Sequence, residues 1–93
     1  KGVISVLSNI LPAQTSEMCH AFMRGEVEKS LKMQLGYLDL IDSLFCEVNP
    51  IPVKAAMAAM GYCADYLRLP LTPMEDATKA HLLDAMREQG IRV

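Results

Sequence analysis

Residues 26–46 place apolar side chains around more than half the circumference of one helix, and this restricts the fold more than any other feature. A first stripe reads Val27, Leu31, Leu35, Leu38 and Phe45. A second group, Met33, Tyr37, Leu40 and Leu44, lies on another side, with Ile41 bridging the two. The polar arc is narrow: Glu28, Lys29, Lys32, Asp39, Ser43 and Glu47. A helix resting on one surface needs a single apolar stripe. This helix expects cover on several sides, more than three short companions supply, so the pattern predicts a covering body beyond these residues.

The first segment, Gly2-Val3-Ile4-Ser5-Val6-Leu7, makes the same demand. Val3 and Leu7 point to one face of an extended chain, Ile4 and Val6 to the other, and both faces are apolar. Strands covered on both sides by helices in a parallel sheet read this way. The spacing predicts a strand over residues 3–7, but no second strand pattern follows it. A lone strand leaves its ladder groups unpaired, so its neighbours are expected upstream, outside the sequence.

The remainder reads as helices. Ser8-Asn9-Ile10-Leu11-Pro12 leads into a helix at 12–24, with Leu11, Met18, Ala21 and Phe22 on one stripe and Gly25 as the stop. The long helix at 26–46 follows. Asn49-Pro50-Ile51-Pro52 interrupts the chain, with Ile51 extended. A third helix is predicted at 52–60 from Val53, Ala56, Met57 and Met60, ended by Gly61. After a loop at 62–72, Thr72 reads as N-cap, Pro73 as N1 and Glu75 as N3 of a capping box. That last helix runs over 73–89 to Gly90. The expected class is therefore mainly α, one N-terminal strand plus four helices.

Composition narrows the function classes. Nine Lys and Arg against eleven Asp and Glu give a net charge of −2 and no basic run, which argues against nucleic acid. No apolar stretch approaches the roughly 18 residues of a membrane span, and no basic amphipathic surface points to a bilayer. The first residues lack the pattern of a secretory leader, so none is expected. Hydrophobic residues at 52% suit a packed core.

The chemistry-bearing residues form no recognisable constellation. Cys19, Cys46 and Cys63 make no C-x-x-C pair and read as reduced, buried thiols in a reducing cytoplasm. His20 and His81 complete neither a metal-ligand pattern nor a triad. Lys29, Lys32 and Lys79 lie on polar arcs, Lys1 begins the strand, and Lys54 falls in a first helical turn, a solvated position for an amine. None has the desolvated setting of a Schiff-base lysine. The five glycines are scattered and form no phosphate loop. No catalytic residue, cofactor site or metal site is assigned.

Three stretches, in order and spacing, carry a resemblance: Gly2-Val-Ile-Ser-Val-Leu-Ser-Asn9, Phe45-Cys-Glu-Val-Asn-Pro-Ile-Pro-Val-Lys54 and Leu67-Arg-Leu-Pro-Leu-Thr-Pro73. Together they resemble the C-terminal third of the 4-hydroxy-tetrahydrodipicolinate synthase (dihydrodipicolinate synthase) family, across the whole chain. Asn49-Pro-Ile-Pro-Val-Lys54 separates it from barrel relatives such as N-acetylneuraminate lyase and keto-deoxy sugar-acid aldolases.

The resemblance implies a (β/α)8 barrel with a small C-terminal helical domain, usually a homotetramer. The implied reaction is a lyase chemistry in lysine and diaminopimelate biosynthesis. Pyruvate forms a Schiff base with a barrel lysine and condenses with aspartate semialdehyde. Residues 1–25 then correspond to the last barrel strand and the start of the helical region, and residues 26–93 to the C-terminal helical domain. Ile4 takes the position that lines the pyruvate pocket through its backbone. The family's Schiff-base lysine, relay tyrosines, pyruvate-holding threonine, second-substrate arginine and lysine-feedback site all match positions upstream. Tyr37, Tyr62 and Tyr66 do not match the catalytic tyrosines. The expectation is a cytoplasmic, homo-oligomeric parent enzyme, with pyruvate and aspartate semialdehyde as substrates and no cofactor, and a segment inactive by itself. Two rival readings are a free-standing helical interaction module and a piece of a sister sugar-acid aldolase.

Overall fold

The computed structural model describes residues 2–93. After a 3-10 turn at Leu7–Asn9 come α1 (Pro12–Met23), α2 (Val27–Gly36), α3 (Leu38–Leu44), α4 (Ile51–Ala59) and α5 (Asp76–Glu88). The chain packs as two connected parts. The α1–α2 pair forms one, and α3, α4 and α5 form a bundle in which α5 lies against both α3 and α4. The core joins Leu7, Ile10 and Leu11 to Leu40, Leu44, Ile51, Ala56, Leu82 and Met86.

The expected strand is not formed. Among the described residues there is no strand at all: residues 2–5 carry no regular structure, and Leu7 enters the 3-10 turn. Val3 and Ile4 stand in solvent, Ile4 completely. The physical reason is pairing. A strand exists through its ladder, and nothing in residues 2–93 supplies a partner edge for this one. Lys1, read as the beginning of that strand, lies outside the described residues.

Three helix ends follow the glycine pattern closely. Gly25, Gly61 and Gly90 all adopt positive φ, of 90°, 90° and 78°. Each is followed by the paired backbone bonds of a Schellman motif. At the first, the Gly25 amide donates to the Phe22 carbonyl (3.0 Å) and the Glu26 amide to that of Ala21 (2.8 Å). At the other two, Tyr62 donates to Met57 (3.0 Å) and Ile91 to Met86 (3.0 Å). Only glycine enters this left-handed region without strain.

The predicted helix over 26–46 is two helices. The break falls at Gly36-Tyr37, where Tyr37 has φ −95° and ψ −1°. Its amide is shared between the carbonyls of Met33 (3.1 Å) and Gln34 (3.3 Å), a tightening of the last turn. Gly36, directly before Tyr37, weakens the helix there. Of the two apolar groups, one is covered: Leu40 and Leu44 are 1% and 0% exposed. The other is not. Val27, Leu31, Leu35, Leu38 and Phe45 are 43–56% exposed, and α2 has no buried residue.

The last helix starts later than the capping box predicts. Asp76, not Pro73, opens α5, and Glu75 is its N-cap, with extended φ −64° and ψ 146°. Thr72 makes no cap bond. Instead a side chain from the α3–α4 connection reaches the helix end. Glu47 Oε2 accepts the Glu75 amide (3.1 Å) and also accepts the Thr78 hydroxyl. Met74, buried at 5%, anchors the extended approach in the core. At α4, the helix begins at Ile51, one residue before Pro52, so Ile51 is helical rather than extended.

Candidate functional site

The concave surface of the molecule lies where the N-terminal segment crosses α1, α2 and α3. A cavity of about 240 Å³ there is lined by Ile4, Val6, Thr15, Met18, Ile41 and Phe45, among others. Beside it a wider, open cavity of about 550 Å³ is bounded by Val3, Met18, Cys19, Phe22, Ser30 and Gln34, with Gly2 and Met23. The walls are apolar, and Gln34 borders both cavities. Among the described residues no charged side chain lines either one.

Ile4, the residue singled out for substrate, borders the smaller cavity. It offers an exposed apolar side chain and backbone groups with no regular pairing. On the C-terminal side of position 4 the chain is held by hydrogen bonds. There the Ser8 hydroxyl donates to the Ser5 carbonyl (2.8 Å) and the Ser8 amide donates to Ser5 Oγ (3.1 Å). The α1–α2 pair beneath is pinned by Ser30 Oγ, which donates to the Met18 carbonyl (2.9 Å) across the two helices.

Thr15 is the residue that reading the sequence missed. It is 5% exposed, and its hydroxyl has no hydrogen-bond partner. The signal was present: Thr15 lies on the apolar side of α1, four residues after Leu11 and three before Met18.

The remaining candidates are not brought together. Lys54 sits in the first turn of α4, half-buried, and borders neither cavity. Lys29 lies 3.7 Å from Glu17, in a surface cluster where Arg24 bonds both Glu17 and Glu26 at 2.5 Å. The Arg24 hydrogen bond holds the Glu17 carboxyl below the usual carboxylate range. His20 Nδ1 lies 3.3 Å from Ser16 Oγ, and His81 Nε2 lies 3.5 Å from Asp39 Oδ1, both on the surface. Tyr62 and Tyr66 are 70% and 72% exposed on the α4–α5 loop, away from the cavities.

The cysteines correct an expectation. None is buried: Cys19 is half-buried, and Cys46 and Cys63 are exposed. All three are free thiols, and none lies in the core. Partial burial of the sulfur, then the neighbouring Glu47 carboxylate, push the Cys46 thiol above its ordinary range. Among the described residues no three His, Cys, Asp or Glu side chains cluster as metal ligands. No helix there is long and apolar enough to cross a membrane.

The concavity carries the Cys19 thiol and no lysine among the described residues, and comparison with known proteins gives the family. Residues 1–89 match the model of the dihydrodipicolinate synthetase family. The chain belongs to that family. A 4-hydroxy-tetrahydrodipicolinate synthase from Alkaliphilus oremlandii is 60% identical over 90 residues, 97% of this chain and 31% of that enzyme. Among solved structures, dihydrodipicolinate synthase from Thermotoga maritima superposes with a TM-score of 0.95 at 43% identity, covering 98% of this chain and 31% of that one. The chloride-inhibited enzyme from Acinetobacter baumannii, solved in complex with pyruvate, gives a TM-score of 0.91 at 38% identity, over 97% and 31% respectively. The chain thus spans about a third of the length of its dihydrodipicolinate synthase relatives, and corresponds to their C-terminal third. Its helical architecture is that of the matching third of those structures.

Proposed function

We propose that this chain serves as the C-terminal third of a 4-hydroxy-tetrahydrodipicolinate synthase. That lyase condenses pyruvate with aspartate semialdehyde through a Schiff base on a barrel lysine, in lysine and diaminopimelate biosynthesis. On this reading residues 1–25 complete the barrel: residues 3–7 become its last strand once a neighbouring strand pairs with them, and α1 covers it. Residues 26–93 form the helical domain. Ile4 then walls the pyruvate pocket and presents backbone groups to it. The Schiff-base lysine comes from the part of the enzyme outside these residues, so the segment alone is inactive. The assembled enzyme is a cytoplasmic homotetramer.

The observation that carries this reading is the match over nearly all of this chain to one third of each relative. The uncovered apolar surface supports it, because Val3, Ile4, Phe22, Leu31 and Leu35 stand where a covering body would bury them. A chimera tests it: the upstream two thirds of the Alkaliphilus oremlandii enzyme joined to this chain. The chimera should condense the two substrates, and borohydride with pyruvate should trap one adduct per subunit on a lysine of the upstream part. The isolated chain should trap none. A folded but inactive chimera, or an adduct on Lys54 of the isolated chain, would overturn the assignment.

A further inference from the structure

The Thr15 hydroxyl is buried and unused. The residue is 5% exposed, and Oγ1 has no hydrogen-bond partner among the described residues. Buried hydroxyls are paired in the large majority of folded proteins, because an unpaired one loses its bonds to water and gains none. Inside a helix such a group can turn back on the carbonyl four residues earlier. Here the Leu11 carbonyl accepts the Thr15 amide (3.0 Å) and not the hydroxyl. Oγ1 is also closed to solvent. A group from outside these residues does not reach it without unpacking them, so its partner lies within the chain.

The smaller cavity, which Thr15 borders, offers three other polar side chains: Ser5, Cys19 and Gln34. Gln34 is exposed on α2 and bonds to water. A thiol is a weak partner in either direction. Ser5 is half-buried and half-satisfied. Its Oγ accepts the Ser8 amide (3.1 Å) and gives its own proton to no acceptor among the described residues. A hydroxyl carries one proton and two lone pairs. Ser5 therefore has a donor left over where Thr15 has acceptors left over. Ser5 also follows Ile4 directly, so the Ile4 carbonyl belongs to the peptide that joins the two.

We infer that Thr15 is a positioning residue for the substrate pocket: when residues 3–7 take their place as a strand, the Ser5 hydroxyl donates to Thr15 Oγ1, and this bond fixes the Ile4–Ser5 peptide at the pocket wall. The inference rests on the synthase reading, in which Ile4 presents its backbone to pyruvate. Ser5 is then held from two directions, by the Ser8 amide from further along the chain and by α1 from beneath. A peptide free to rotate would turn the Ile4 carbonyl away from the pocket, and ordering it would be drawn from the binding of pyruvate. The bond orders it beforehand. The effect falls on binding rather than on the chemical step, because Thr15 acts only through Ser5 and Ile4.

Steady-state kinetics of the chimera test it, with the substitutions made in this chain. Thr15→Val keeps the shape and removes the hydroxyl. The KM for pyruvate should rise about two- to tenfold, the worth of one neutral hydrogen bond, with kcat unchanged, as for a loss of ground-state binding. Thr15→Ser keeps the hydroxyl and should restore the parent KM. Ser5→Ala should raise KM as Thr15→Val does, and the double variant should go no further, since both remove the same bond. Where Thr15→Val lowers the yield of folded chimera, Ser5→Ala at its half-buried position gives the same reading. An unchanged KM in Thr15→Val or Ser5→Ala, a fall in kcat alone, a Thr15→Ser variant that behaves like Thr15→Val, or additive losses in the double variant would each overturn the inference and leave the synthase reading standing. An inactive parent chimera overturns the synthase reading and this inference with it.

Discussion

Glu47 shows what one side chain does that local pattern does not announce. It sits between α3 and α4, and its carboxylate accepts a backbone amide and a hydroxyl from α5, at Glu75 and Thr78. A carboxylate at a helix N-terminus satisfies orphan amides and meets the positive end of the helix dipole. Replacing Glu47 by Ala should lower stability by about 1 kcal/mol, read as a shift in urea midpoint at constant slope. Glu47→Gln, which keeps an acceptor but not the charge, should recover part of the loss. The Thr72-Pro73-Glu75 pattern predicted a self-contained cap; the contact from 28 residues upstream won instead. Propensity at Thr72 is local, whereas Met74 must be buried, and burying it holds the backbone extended up to Glu75.

Among the elements, α2 and α3 read alike in sequence and differ completely in burial. Leu40 and Leu44 lie in the core with Leu82 and Met86, all at 0–1% exposure, while the stripe of α2 lies open. Removing a core side chain leaves a cavity the bundle cannot refill. Leu82→Ala should therefore cost about 2–5 kcal/mol, whereas Val48→Ala, at a loop residue 66% exposed, should stay within about 0.5 kcal/mol. Denaturant titration of both variants gives the contrast, and similar losses in the two would show that the core is misassigned. Helix positions and their glycine stops were legible, because the apolar spacing and the Schellman glycines are local signals. The split at Tyr37 was less so, since one glycine inside a periodic run reads as tolerable. The cysteine environments were not legible either, because exposure depends on what packs above each thiol.

For the whole molecule, the shape is extended, 43 × 26 × 21 Å. The radius of gyration of 14.0 Å is above the roughly 12 Å of a compact domain this long, as the open α1–α2 pair requires. By itself the sequence determined the helical class, three of the five helices to within a few residues with the other two read as one, their glycine ends, the excess of apolar surface and the family resemblance. These are written in short-range spacing and in three short stretches, Gly2–Asn9, Phe45–Lys54 and Leu67–Pro73. Only the tertiary structure decided that residues 3–7 form no strand within residues 2–93, that Thr15 is buried with its hydroxyl unbonded, that Glu47 caps α5, and which apolar stripe meets the core. Each of these depends on whether a second surface lies against the first, and no local run of residues encodes that.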